Sequence, residues 1–185
     1  MSDAHDLPPS PWIVRFARLV PEGARVLDLA AGRGRHARYF AARGARVLAV
    51  DRDAAALAEL AGIDAIETRV LDLETGAWPL AGERFDAIVV ANYLHRPHFP
   101  CLRAALAPDG VLIYETFAVG NEAFGRPANP DFLLRRDELL ALAAAPPQPM
   151  TVVAFEQGRF DRDGRPAVVQ RLAAVGAQRA WPPAL

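Results

Sequence analysis

Three acids and a pair of glycines carry the chemistry that can be read first. In VLDLAAGRGRHA (26–37) an apolar run leads into Gly32 and Gly34 and then into a helical pattern, with Asp28 four positions before the first glycine. The spelling G-x-G-x-x-A gives a tight strand-to-helix turn that lets backbone approach a ligand closely. A dinucleotide would set an anionic pyrophosphate over that turn, where an acid is unwelcome. Asp28 instead suits a ligand carrying positive charge. Asp51 ends the second apolar run, VLAVD, where an acid can accept hydrogen bonds from both hydroxyls of a ribose. Asp72 closes the next run in RVLDLE, and Asn92 ends FDAIVVAN. Read alone, each has a structural explanation: the glycines serve a turn, Asp51 in DRD caps a helix, and Asp72 is a turn residue.

Groups able to move a proton lie further along. Tyr93 and His95 follow Asn92 in ANYLHRPHFP, and Tyr114 and Glu115 lie in VLIYETF. These are the weak candidates for a general base, chiefly Tyr93, His95 and Glu115. A buried Glu115 needs a partner, and an arginine is as good an expectation as catalysis. His95 and His98 invite a metal reading, but Pro97 and Pro100 deny them a helix and no cysteine or close acid completes a tetrahedral set; no metal is expected. Arg33, Arg35, Arg38 and Arg43 load the region after the glycines with charge; a solvated helix face explains them, and the functional alternative is a contact to a ligand carboxylate or an anionic acceptor, with Arg33 and Arg38 the candidates.

The elements that must position these groups alternate. Apolar, β-branched runs fall at 25–31, 46–50, 65–71, 85–91 and 111–117, with helical patterns at 34–43, 53–61 and about 99–107. Near-continuous apolar strands separated by helices imply a parallel sheet covered on both faces. All the acids then stand at carboxyl ends of strands, where open α/β sheets bind ligands. Residues 1–9 read as frayed. Ser10 caps and Pro11 opens an N-terminal helix over 10–20, whose Trp12 and Phe16 either pack on the sheet edge or form a lid. After residue 117 the rhythm breaks in AVGNEAFGRPANPDF. A helix near 135–145, a stop at APPQP and two strands at 151–157 and 167–175 complete the chain. Asp163-Gly164 is a hairpin turn, so the last pair should be antiparallel.

Composition narrows the classes. The 185 residues suit one domain. A 52% hydrophobic and 23% charged chain is a globular one, and a net charge of −1 supplies no field for bulk nucleic-acid or membrane binding. One cysteine, Cys101, excludes an internal disulfide. With no signal-like start and no apolar span, a cytoplasmic monomer or homodimer is expected.

A βα alternation ending in an antiparallel pair, with D-x-x-x-G-x-G at Asp28–Gly34, resembles the class I methyltransferases that use S-adenosylmethionine (SAM). The run GRGRHARYFAARGARVLAVDRD, a strand ending in an acid, and the late DRDGRP resemble the small bacterial tellurite-resistance and thiopurine-methyltransferase-like group, over most of the chain from Arg25. The resemblance implies a single α/β domain over 1–185, a three-layer, seven-stranded, mostly parallel Rossmann-like sheet with a C-terminal antiparallel hairpin. It implies SAM as cofactor, with Asp28, Ala30, Gly32, Arg33, Gly34, Asp51, Arg52, Asp72, Leu73 and Asn92 binding it and Asp72 accepting from the adenine amine. Methyl transfer to a small-molecule acceptor follows, with oxyanions of selenium or tellurium and thiols as the group's soft nucleophiles. The alternatives are a catalytically silent SAM-binding sensor or partner subunit, and an NAD(P)-dependent oxidoreductase. The last lacks a Tyr-x-x-x-Lys, since lysine does not occur in the chain. The loop after Asn92 also lacks the Asn/Asp-Pro-Pro-aromatic sequence of enzymes that methylate base amines.

Overall fold

A computed structural model describes residues 7–162 and 164–183. The frayed reading of residues 1–6 and Asp163 of the expected turn lie outside them.

Seven strands form one sheet: β1 Arg25–Leu29, β2 Arg46–Asp51, β3 Ile66–Val70, β4 Phe85–Ala91, β5 Leu106–Phe117, β6 Thr151–Arg162 and β7 Arg165–Val175. Their spatial order is β3-β2-β1-β4-β5-β7-β6. The pairs from β3 to β5 are parallel, and β5–β7 and β6–β7 are antiparallel. This is the mostly parallel sheet with a C-terminal hairpin that the alternation predicts.

Five short helices cover it: α1 Pro11–Phe16, α2 Arg35–Ala41, α3 Ala54–Ala58, α4 Phe99–Ala105 and α5 Glu138–Ala144. Strand parity sorts the core into two layers. Val26, Val47, Val89 and Ile113 point towards α1–α3, while Leu27, Leu48, Val90 and Leu112 point towards α4 and α5.

Some boundaries differ from the pattern. The N-terminal helix is α-helical only to Phe16 and tightens into a 3₁₀ turn over Ala17–Leu19. Strand β5 begins at Leu106, where a helix was expected to run on to 107; Pro108 cannot continue a helix. Residues 7–9, read as frayed, are placed: Arg35 donates to the Pro8 carbonyl at 3.0 Å. Ser10 caps α1, its Oγ accepting from Trp12 N–H at 3.2 Å. Trp12 and Phe16 are buried, and the Trp12 indole donates to the Leu172 carbonyl at 3.3 Å. Helix α1 is therefore docked on the sheet, not a lid.

A ladder of charge ties the hairpin to the parallel strands. Glu115 of β5 faces Arg171 of β7, which faces Glu156 of β6. Arg171 donates to Glu115 at 2.6 Å and to Glu156 at 3.3 Å, and Ser10 Oγ–H donates to the other Glu115 oxygen at 2.9 Å. The 118–134 excursion is pinned similarly. Asn121, 2% exposed, accepts from Val168 N–H and donates to the Pro127 carbonyl, each at 3.1 Å.

Candidate active site

Strand order reverses at β1, which pairs with β2 on one side and β4 on the other. A crevice must open beyond their carboxyl ends. Both strands leave the sheet through a non-glycine residue in the left-handed region, Ala30 at φ 56° and Asn92 at φ 57°. Such conformations cluster where function requires them. The two loop glycines differ in what they serve. A Cβ on Gly34 would lie 2.5 Å from Leu60, so this glycine lets α2 pack on the end of α3. A Cβ on Gly32 would meet nothing within 4 Å. That face looks onto open space, as a ligand cradle must.

The acids divide the same way. Asp53, not Asp51, caps α3, accepting from Ala55 and Ala56 N–H at 3.0 Å each. Asp51 Oδ2 accepts from Gly32 N–H at 2.7 Å and Oδ1 from Asp53 N–H at 2.9 Å, which holds the glycine loop against the second strand tip. Asp72 stands two residues past the end of β3 rather than closing it, and accepts from Glu74 N–H at 2.9 Å. Asp51, Arg52, Asp72, Leu73, Glu74 and Tyr93 share a cavity of about 140 Å³ with Ala30. Asp28 does not join them. It is 1% exposed behind the loop and accepts from Ala37 N–H at 2.9 Å. Burial pushes its carboxyl up to about 7, opposed by that hydrogen bond and by Arg35, and assisted by the Asp51 charge. Asp28, expected to meet a ligand's positive charge, faces the interior here: a central strand covered on both faces turns its side chain inward.

The main cleft, about 1060 Å³, opens on the other side of Ala30. One wall is the glycine loop with Asn92, His36, Arg38 and Tyr39. The other consists of Leu7–Pro9, Phe117, Phe124–Arg126 and Arg165–Ala167. Arg33 pairs with Glu59, and Arg38 donates to the Glu59 carbonyl at 2.6 Å, so both of the arginines singled out from sequence clamp α2 to α3 at the cleft edge. Arg43 instead lies over Tyr39, 5.7 Å from its ring centre. His36 is buried, and its Nε2 accepts from Ser10 N–H at 3.2 Å. Sequence reasoning missed His36, Phe124, Arg126 and Arg165. The last three lie on segments whose closure over the sheet depends on Asn121 reaching Val168, and no local pattern reports that contact.

The proposed bases mostly find structural employment. Glu115 is 1% exposed and held by Arg171 and Ser10. Tyr114 is buried, its hydroxyl donating to the Tyr93 carbonyl at 2.8 Å, and burial raises its pKa well above the ordinary phenol. His95 lines neither cavity; it lies against His98 with ring centres 4.6 Å apart, and His98 packs on Trp78 at 5.1 Å. Burial, then the His95 charge, lowers the His98 pKa. Tyr93 lines the small cavity with its hydroxyl buried and unpartnered. Burial and the Glu74 and Asp72 charges raise its pKa, which keeps the hydroxyl protonated and able to donate. Among the described residues no three His, Cys, Asp or Glu side chains gather to hold a metal, and no helix is long and apolar enough to cross a membrane.

Residues 26–110 match the methyltransferase-domain family model. Among curated proteins none matches the sequence. Several solved structures share the fold. TehB from Haemophilus influenzae superposes with a TM-score of 0.75 at 17% identity, over 91% of this chain and 62% of that one. This chain thus spans less than two thirds of that relative. The 1,6-didemethyltoxoflavin-N1-methyltransferase of Burkholderia thailandensis, solved with 1,6-didemethyltoxoflavin and S-adenosylhomocysteine (SAH), gives 0.63 at 24% identity, over 89% and 76%. A TehB-like SAM-dependent methyltransferase from Corynebacterium glutamicum gives 0.63 at 19% identity, over 94% and 89%. The family match covers a little under half of the chain, the stretch that carries the glycine loop and the strand tips around it. In fold the chain is similar to TehB and to these two methyltransferases.

Proposed function

We propose that the protein transfers a methyl group from SAM to a small-molecule acceptor that is already nucleophilic when it binds. The observation that carries this is the open face of Gly32, set between two cavities that meet at Ala30 and rimmed by Asp51 and Asp72. Asp51 spends one lone pair of each oxygen on backbone and keeps acceptor sites for ribose hydroxyls. Asp72 and the unpartnered Tyr93 hydroxyl supply an acceptor and a donor for the adenine. Ala30, Gly32 and Arg33 border the methionine end together with Asn92, Gly34 seats the loop on Leu60, and Arg52 and Leu73 close the adenosine end. Asp28 supports the loop from behind.

SAM supplies an electrophilic methyl carbon: the acceptor's lone pair bonds to it as the carbon–sulfur bond breaks, and that electron pair returns to sulfur, leaving SAH. The chain's residues then have to hold two reactants in line and exclude water. Glu115 and Tyr114 are hydrogen-bonded elsewhere and His95 lines neither cavity, which supports acceptors that arrive deprotonated, such as thiolates and other anions. Calorimetry with SAH and with NADH tests the donor assignment. Binding of SAH and not NADH is expected, and the reverse would end it. Conversion of SAM to SAH with an acceptor panel separates an enzyme from a silent sensor.

A further inference from the structure

We infer that the acceptor is an organic anion with a flat apolar body, its charge held by Arg126 and Arg165 and its body lying against Phe124. This rests on the methyl-transfer reading above. Arginines near the glycine loop have work to do: Arg33 pairs with Glu59, Arg35 holds Pro8 and Arg38 holds the Glu59 carbonyl. On the opposite wall, Arg126 and Arg165 have no hydrogen-bond or ion-pair partner among the described residues. They come from different elements, the excursion after β5 and the first residue of β7, yet border the same cleft.

Charge balance gives the pair its meaning. Among the described residues the only acid lining this cleft is Glu59, which pairs with Arg33. With a sulfonium nearby, two further guanidiniums repel the donor unless an anion sits between them, and a carboxylate or phosphate matches their planar forks. Size decides what kind of anion. A cleft of about 1060 Å³ lies at the upper end for drug-sized ligands, and an inorganic oxyanion would leave most of it filled with water even beside a methionine chain. Phe124 is 41% exposed, with Arg159 over its ring at 5.7 Å, an apolar plate offered to a ligand. Asn121, pinned between Pro127 and Val168, holds this excursion against β7, so plate and cations are presented together.

The test uses SAH-saturated protein and a matched pair of probes, 2-naphthoate and the neutral 2-naphthamide, with selenite as the inorganic oxyanion. Calorimetry should show naphthoate bound at least about tenfold more tightly than naphthamide. Arg126→Gln and Arg165→Gln should each narrow that gap, and the double variant should close it. Equal binding of the two probes, a gap that survives in the double variant, or selenite bound as tightly as naphthoate would overturn the inference. Failure of SAH itself to bind would overturn the donor assignment and this inference together. SAH bound with no preference for naphthoate would remove this inference alone.

Discussion

Asp28 shows what the centre of a sheet does to a carboxyl. Its pKa in the folded protein is about 7 against an ordinary 3.8, with burial the largest cause. The folded state therefore holds the proton more tightly than the unfolded chain. This residue's contribution to stability is greatest below about pH 4 and is lost progressively as pH rises towards 7. Asp28→Asn keeps an oxygen for Ala37 N–H and removes the charge. Its stability relative to the parent, read from urea midpoints, should rise between pH 5 and pH 8; parallel curves would mean that burial does not govern this group. Asp51 acts at the ligand side. Asp51→Ala removes the acceptor for Gly32 N–H and, on the proposed reading, for the ribose hydroxyls, and should weaken SAH binding by about 1–3 kcal/mol in calorimetry. An unchanged affinity would withdraw Asp51 from the site. Strand tips made Asp51 and Asp72 legible, because a parallel sheet delivers its carboxyl ends to one side. The fate of Asp28 was legible too, from its place between Leu27 and Leu29 in an unbroken apolar run, but the glycine motif beside it argued louder.

At the level of elements, the two glycines and the charge ladder make separable demands. Gly34→Ala drives a Cβ into Leu60 at a φ of 76° and should destabilise the fold by roughly 1–3 kcal/mol. Gly32→Val meets no neighbour but is strained at a φ of 55°, so it too should cost stability. Because its Cβ projects into open space it should beyond that lower SAH affinity, which Gly34→Ala should not. Denaturation and SAH titration on the two variants separate the effects; matching profiles would contradict the division. Arg171→Ala leaves Glu115 buried without its cation and should destabilise by about 3–5 kcal/mol in chemical denaturation, with Glu115→Gln partly relieving the loss. A mild effect would mean that the hairpin is held by packing alone. Sequence left Glu115 between an arginine partner and catalysis and did not say which arginine, because cross-strand register is fixed by a hairpin whose pairing no local signal encodes. The excursion at 118–134 was unreadable for the same reason: its shape depends on contacts with β7 fifty residues away.

For the molecule as a whole, donor binding and folding are coupled, because the cradle exists only when β1, β2 and β4 are assembled. SAH at about a hundred times its Kd should stabilise the protein by about 2.7 kcal/mol. For a chain of this size that is a rise in Tm of roughly 5–11 °C, while NADH at equal concentration should leave Tm in place. A scan in which both ligands act alike would contradict the cavity assignment.

The parts that border the donor come from residues 30–93, whereas the facing wall is contributed by 7–9, 117–126 and 165–167. On the proposed reading, selectivity for the recipient would be written in segments that the methyl-donor machinery does not share. Grafting those three stretches from another such enzyme would retarget the transfer while the reagent it spends stays the same.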